Sequence, residues 1–179
     1  MLSLHIAFWM FILIFALIGA MRGWGKELLV IFAVVIAVFI TYILENHIPF
    51  IRDAELFQSE SSRFWLRTII LSLLVFFGYS TPSIPKLAEF SRFSTHSIES
   101  AMLGFFLGIL NGYAIVGTLW YYLDYAGYPF DIVIAPVPGT PAGDAALAMV
   151  SWFLPAWLVP PLIYFAVAGA FAIVIMLFL

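Results

Sequence analysis

A chain of 179 residues that is 65% hydrophobic and 9% charged is not a water-soluble domain, since soluble folds run roughly 45–50% apolar and about 25% charged. Its mean hydropathy of +1.12 makes lipid the solvent, and the length leaves no room for a separate soluble domain beside several spans of ~20 residues each. A formal net charge of −3 offers no nucleic-acid footprint, and the absence of cysteine excludes disulfides, thiolate metal sites and a cysteine nucleophile.

The first apolar run, Leu4 to Met21, has no basic region before it, and Arg22 follows where a cleavage site would end. It therefore reads as a retained helix rather than a removed signal. Ala16 with Ala20, and Gly19 with Gly23, set small residues four apart, a spacing that suits a packed face. Arg22-Gly23-Trp24-Gly25-Lys26-Glu27 breaks the run, and a second apolar helix follows from about Leu28 to Leu44. So short a connection predicts an antiparallel hairpin over residues 4–44.

Residues 45–65 are the most polar, mixing Glu45, Arg52, Asp53, Glu55, Glu60 and Arg63 with scattered apolar side chains. That mixture predicts a loop with an interfacial helix, and Trp65 marks the return to the membrane surface. A short third span is expected over 66–80, with Arg67 snorkelling from its first turn and Pro82 and Pro85 ending it. Lys86 to Glu99 reads as a polar connector.

The stretch from Ser100 to Tyr122 is the expected spine. Ser100, Gly104, Gly108 and Gly112 recur every four residues, which places them on one stripe of a span over 100–123. Glycine costs about 1 kcal/mol relative to alanine in an exposed helix interior, so three at this spacing point to close packing. Trp120, Tyr121, Tyr122 and Tyr125 close the helix as an aromatic girdle. A Pro-rich, acidic loop and an amphiphilic segment that lies in or dips into the interface fill 124–160, and a last apolar run over 161–179 is just long enough to span. Its end is expected at or just inside a surface.

The fold class is thus an all-α polytopic transmembrane bundle, a single domain of four to five spans around a glycine-striped helix. Arg22, Lys26, Lys86 and Arg92 fall on one side, and Arg52, Arg63 and Arg67 on the other. That count favours N-out, C-in in a cell's inner (plasma) membrane.

Candidate sites are sparse. Arg22, Lys26 and Trp24 at the hairpin, with Trp120, Tyr121 and Tyr122 at the far end, are expected to contact lipid or a partner. Glu27 suits the positive end of a helix dipole. Asn111 is a polar side chain at bilayer depth and reads as an interhelical hydrogen bond, worth ~0.6 kcal/mol on average; with the stripe residues, Gly19 and Gly23, it makes up the helix-packing set. His5, His47 and His96 show no metal-ligand spacing, and His5 is the candidate pigment ligand. Asp124, Asp131 and Asp144 are too scattered for a calcium loop. No catalytic constellation and no metal site is visible, so the chain is read as non-enzymatic.

Two of these stretches resemble the colicin V production (CvpA) membrane proteins. Arg22-Gly23-Trp24-Gly25-Lys26-Glu27 between two apolar helices is similar to that family's Arg-Gly-aromatic-x-basic-Glu break. Leu103-Gly104 through Gly112 resembles its later glycine-spaced helix, and Leu119 to Asp124 its aromatic end with an aspartate. The resemblance covers roughly Leu4 to Gly127. His5, Asn111 and Ser100 stand where family members carry an acid, an arginine and an acid. It implies a role in toxin production or export and envelope homeostasis without an established catalytic activity. The composition itself, with 19 Phe, leads first to a different expectation. It suggests a scaffold or accessory subunit of a larger membrane complex, respiratory or photosynthetic. Such a subunit would contact other membrane subunits and lipids, with pigment or quinone as candidate cofactors. The CvpA-like role is the alternative.

Overall fold

The computed structural model describes residues 4–52, 59–80, 98–130 and 133–178. Among these the regular structure is helical, with no strand: α1 (Leu4–Arg22), α2 (Trp24–His47), α3 (Pro49–Arg52), α4 (Glu60–Ser80), α5 (Ile98–Tyr125), α6 (Pro141–Val150), α7 (Leu154–Trp157) and α8 (Leu162–Phe178). The helices α1, α2, α4 and α5 are long and apolar enough to cross a membrane. The last helix has 17 residues and falls just short of that length.

Local chemistry sets the boundaries. Gly23 adopts φ 83°, a left-handed conformation open to glycine without strain, and its N–H caps α1 by donating to the Gly19 carbonyl at 2.9 Å. One residue therefore separates two spanning helices. The third span begins at Glu60, six residues before the expected start. Ser59 caps it, accepting from the Ser62 N–H at 3.1 Å, and Glu60 sits in the first turn, where the helix dipole favours an acid. Thr140 caps α6 in the same way, with Pro141 as the first helical residue.

The bundle is organised around α5, which touches α1, α2, α4, α6 and α7. α1 runs antiparallel to it at backbone contact. A Cβ placed on Gly19 would overlap the Gly104 carbonyl oxygen and lie 2.8 Å from the Gly108 Cα; one on Gly108 would overlap the Phe15 carbonyl oxygen and lie 3.0 Å from the Ala16 Cα. A Cβ on Gly112 would lie 3.0 Å from the Phe15 Cβ and 3.1 Å from the Ile12 Cα, closer than ordinary contact. α2 and α4 pair antiparallel, with Gly78 against Val30 and Ala33, and α8 lies on α2. Val30, Val34, Ala37, Leu71, Ala114 and Ile163 fill the centre.

The amphiphilic segment packs along α5. Tyr113, near the middle of α5, donates its hydroxyl to the Trp152 carbonyl and accepts from Trp157 Nε1 at 3.3 Å. The Phe153 ring covers Gly117, its Cδ1 2.6 Å from where a Cβ would stand. Tyr113 precedes the end of α5 by twelve residues, about 18 Å of helix. The Tyr113 hydroxyl takes up one of the carbonyls of the irregular backbone there.

Candidate functional site

The polar residues of the first hairpin do not point at lipid. Arg22, the last residue of α1, turns back across Gly23 and donates from Nη1 to Glu27 Oε1 at 2.7 Å. Its Nη2 donates to the Tyr79 carbonyl at 3.1 Å, and the guanidinium lies 4.2 Å from the centre of the Tyr79 ring. Glu27, in the first turn of α2, is 0% exposed. From α5, Asn111 Nδ2 donates to the Glu27 carbonyl at 2.9 Å and to Oε2 at 2.8 Å. Flipping the amide would set oxygen against oxygen at both contacts, so the donor must face Glu27. Four spanning helices thus meet at one neutral, charge-assisted cluster. Asn111 Oδ1 and the Tyr79 hydroxyl are buried beside it without a hydrogen-bond partner among the described residues. The arrangement holds an acid, a base and an amide in fixed geometry, with no nucleophile among them.

A second ion pair closes the other end of the bundle. Arg67 donates to both carboxylate oxygens of Glu45, from Nε at 2.6 Å and Nη2 at 2.7 Å, and its guanidinium lies 4.3 Å from the Tyr125 ring centre. It is buried, not snorkelling as its place near a helix start suggested. Glu45 at the end of α2 supplies the counter-charge that makes burial tolerable.

These α1–α5 residues fall inside one family match: residues 4–135 fit the colicin V production protein family. The chain belongs to that family. No match is found among curated proteins or among solved structures. In this colicin V production family member the match takes in all of α1 to α5 and both ion pairs, while α6, α7 and α8 lie beyond it.

The remaining sequence candidates divide. Gly104, Gly108, Gly112 and Gly19 are buried between α1 and α5, Ser100 is buried on the same stripe of α5, and Gly23 lies against Gly104. Asn111 makes its interhelical bond to a charged group. Trp24 and Lys26 are half-buried at the start of α2. Trp120 and Tyr122 are corrected: at 4% and 3% exposure they face the protein, not lipid. The reason is α5's central position, which buries that side of the girdle against its neighbours. Trp120 packs on Phe8 and Phe153 and donates to the Tyr128 hydroxyl at 3.1 Å. Tyr121 is half-buried, and Tyr125 faces outward.

His5 accepts from Trp9 Nε1 at 2.8 Å through Nε2. Asp124 accepts from Tyr128, and Asp144 from the Gly139 N–H. No group of three metal-ligating side chains occurs among the described residues. Lys86, Arg92, His96 and Asp131 lie outside those residues. Sequence reasoning missed the partners: Glu27 with Arg22, Tyr79 beneath them, and Glu45 with Arg67. The Arg22–Glu27 pair left a readable signal, opposite charges flanking a one-glycine break; the other partners are set by tertiary approach alone.

Proposed function

We propose that this membrane protein is a non-catalytic inner-membrane component of toxin production or export, or of envelope homeostasis, as its family membership implies. The observation that carries the reading is the family match over residues 4–135, which covers every spanning helix that builds the Arg22–Glu27–Asn111 cluster. The hairpin, with Arg22 and Lys26, faces the cytoplasm in this reading, by the excess of basic residues on that side. The cluster fixes the hairpin to α4 and α5, so that the rigid bundle presents its outer faces to other membrane components. The accessory-subunit expectation, with pigment or quinone, rests on composition alone and takes second place.

The test is deletion and complementation in the native host. Loss of toxin export or a rise in envelope permeability, restored by the wild-type chain and not by Arg22→Gln, supports the proposal. Normal export and permeability after deletion, together with co-purification in fixed ratio with respiratory or photosynthetic subunits, would overturn it in favour of the accessory role.

A further inference from the structure

Two buried polar atoms at the hairpin junction remain to be accounted for. Asn111 Nδ2 is fixed on the Glu27 carbonyl and Oε2, which turns Oδ1 to the other side of the amide, where no donor meets it among the described residues. The Tyr79 hydroxyl is buried and unpartnered in the same sense, because Arg22 engages the Tyr79 carbonyl and ring face. Both atoms flank one carboxylate: Asn111 is bonded to Glu27 Oε2, while Arg22, bonded to Oε1, lies over the Tyr79 ring. Phe15 of α1 spans the gap. Its Cβ is 3.0 Å from where a Cβ on Gly112 would stand, beside Asn111, and its ring centre is 6.5 Å from that of Tyr79. Hydrocarbon supplies no hydrogen bonds, and buried polar groups find a partner in protein or ordered water. We propose that an internal water molecule is bound at this junction, donating to Asn111 Oδ1 and hydrogen-bonded to the Tyr79 hydroxyl.

The chemistry of the two atoms selects the occupant. An amide oxygen only accepts, so whatever meets Oδ1 must donate or be positive. A metal cation is disfavoured, because Arg22 already brings a positive charge to the same carboxylate. A lipid headgroup is too large, since Asn111 and Glu27 are both fully buried between spanning helices. Water donates to Oδ1 and serves the tyrosine in either sense, because a phenol both donates and accepts. Two polar partners meet the minimum that a buried water needs. The Arg22 side chain, 20% exposed at the hairpin, marks the side from which water enters. The junction is thus a hydrated site inside an apolar bundle and not a dry clamp. This inference is independent of the toxin or envelope role.

The experiment is water-edited solid-state NMR on the full chain in phosphatidylcholine bilayers, with asparagine and alanine labelled with nitrogen-15. Asparagine occurs only at positions 46 and 111, so the side-chain amides give two signals. Asn46, exposed at the end of α2, reports bulk water, and the backbone amide of Ala37, fully buried in the apolar core, reports its absence. The expected result is polarisation build-up at the Asn111 side chain within about twofold of the Asn46 rate. Tyr79→Phe, which keeps the ring under Arg22 and removes one of the water's two anchors, should slow Asn111 by at least about twofold and leave Asn46 unchanged. The wild-type comparison needs no variant. Build-up at Asn111 as slow as at Ala37, or a rate at Asn111 unmoved by Tyr79→Phe, would overturn the proposal.

Discussion

Removing one charge from the hairpin cluster should destabilise the protein by an amount that depends on which partner is left behind. Deleting one member of a buried ion pair costs about 3–5 kcal/mol. Arg22→Gln strands Glu27, which is 0% exposed and keeps only the Asn111 amide, so the upper end, about 5 kcal/mol, applies. Glu27→Gln strands Arg22, whose side chain is 20% exposed and still holds the Tyr79 carbonyl and ring, so about 3 kcal/mol applies. At about 2–4 °C per kcal/mol for a chain of this size, the midpoints should fall by ~10–20 °C and ~6–12 °C. The double variant leaves no orphaned charge and should be far milder than the sum of the two, with a coupling of at least about 3 kcal/mol. Thermal unfolding in mild detergent, followed by fluorescence-detected size exclusion, measures all four proteins. Additivity within about 0.5 kcal/mol, or a reversed order of the single variants, would refute the cluster as described.

At the α1–α5 contact, Gly108→Leu should abolish the monodisperse protein, because its Cβ would meet backbone of Phe15 and Ala16 that cannot yield; Gly169→Leu, where nothing lies within 4 Å of a Cβ, should behave as wild type by size exclusion. Asn111→Leu removes one bond to a charged group and one to a carbonyl, so its cost should be about 2–4 kcal/mol in the same melting assay, well above an ordinary intramembrane hydrogen bond. Burial first, and then the nearby Asp124 carboxylate, hold the Tyr128 phenol above its ordinary value. A raised folded-state pKa stabilises the neutral form. That contribution is whole below about pH 10, the unfolded value, and drains away as pH rises through the higher folded value. Ultraviolet titration should place Tyr128 among the late-ionising tyrosines, so that Tyr128→Phe lowers their number by one.

The spanning helices were legible because hydropathy is a property of segments, and lipid enforces it along each segment. Their rotation and pairing were not. The girdle at Trp120 to Tyr122 is visible as composition, but which aromatic faces inward depends on what packs beside α5. The early start of α4 hid behind Glu60, Ser61, Ser62 and Arg63, which read as loop until Ser59 is seen to cap them. Asn111 stood out as a lone amide in an apolar run, yet its partner lies 84 residues away and no local pattern names it. Arg67 read as a snorkelling residue for the same reason, since Glu45 neutralises it only after α2 and α4 pair.

The turn between α6 and α7 bears on how the chain is made. With 10 and 4 residues, these helices are too short to leave the translocon as spans of their own. Their resting place is built by Gly117 and the Tyr113 hydroxyl of α5 together with Phe8 of α1. The expected order of biogenesis is that the four long helices assemble first and residues 141–160 pack against them afterward. A released chain truncated after Gly139 should still build the complete Arg22–Glu27–Asn111 junction.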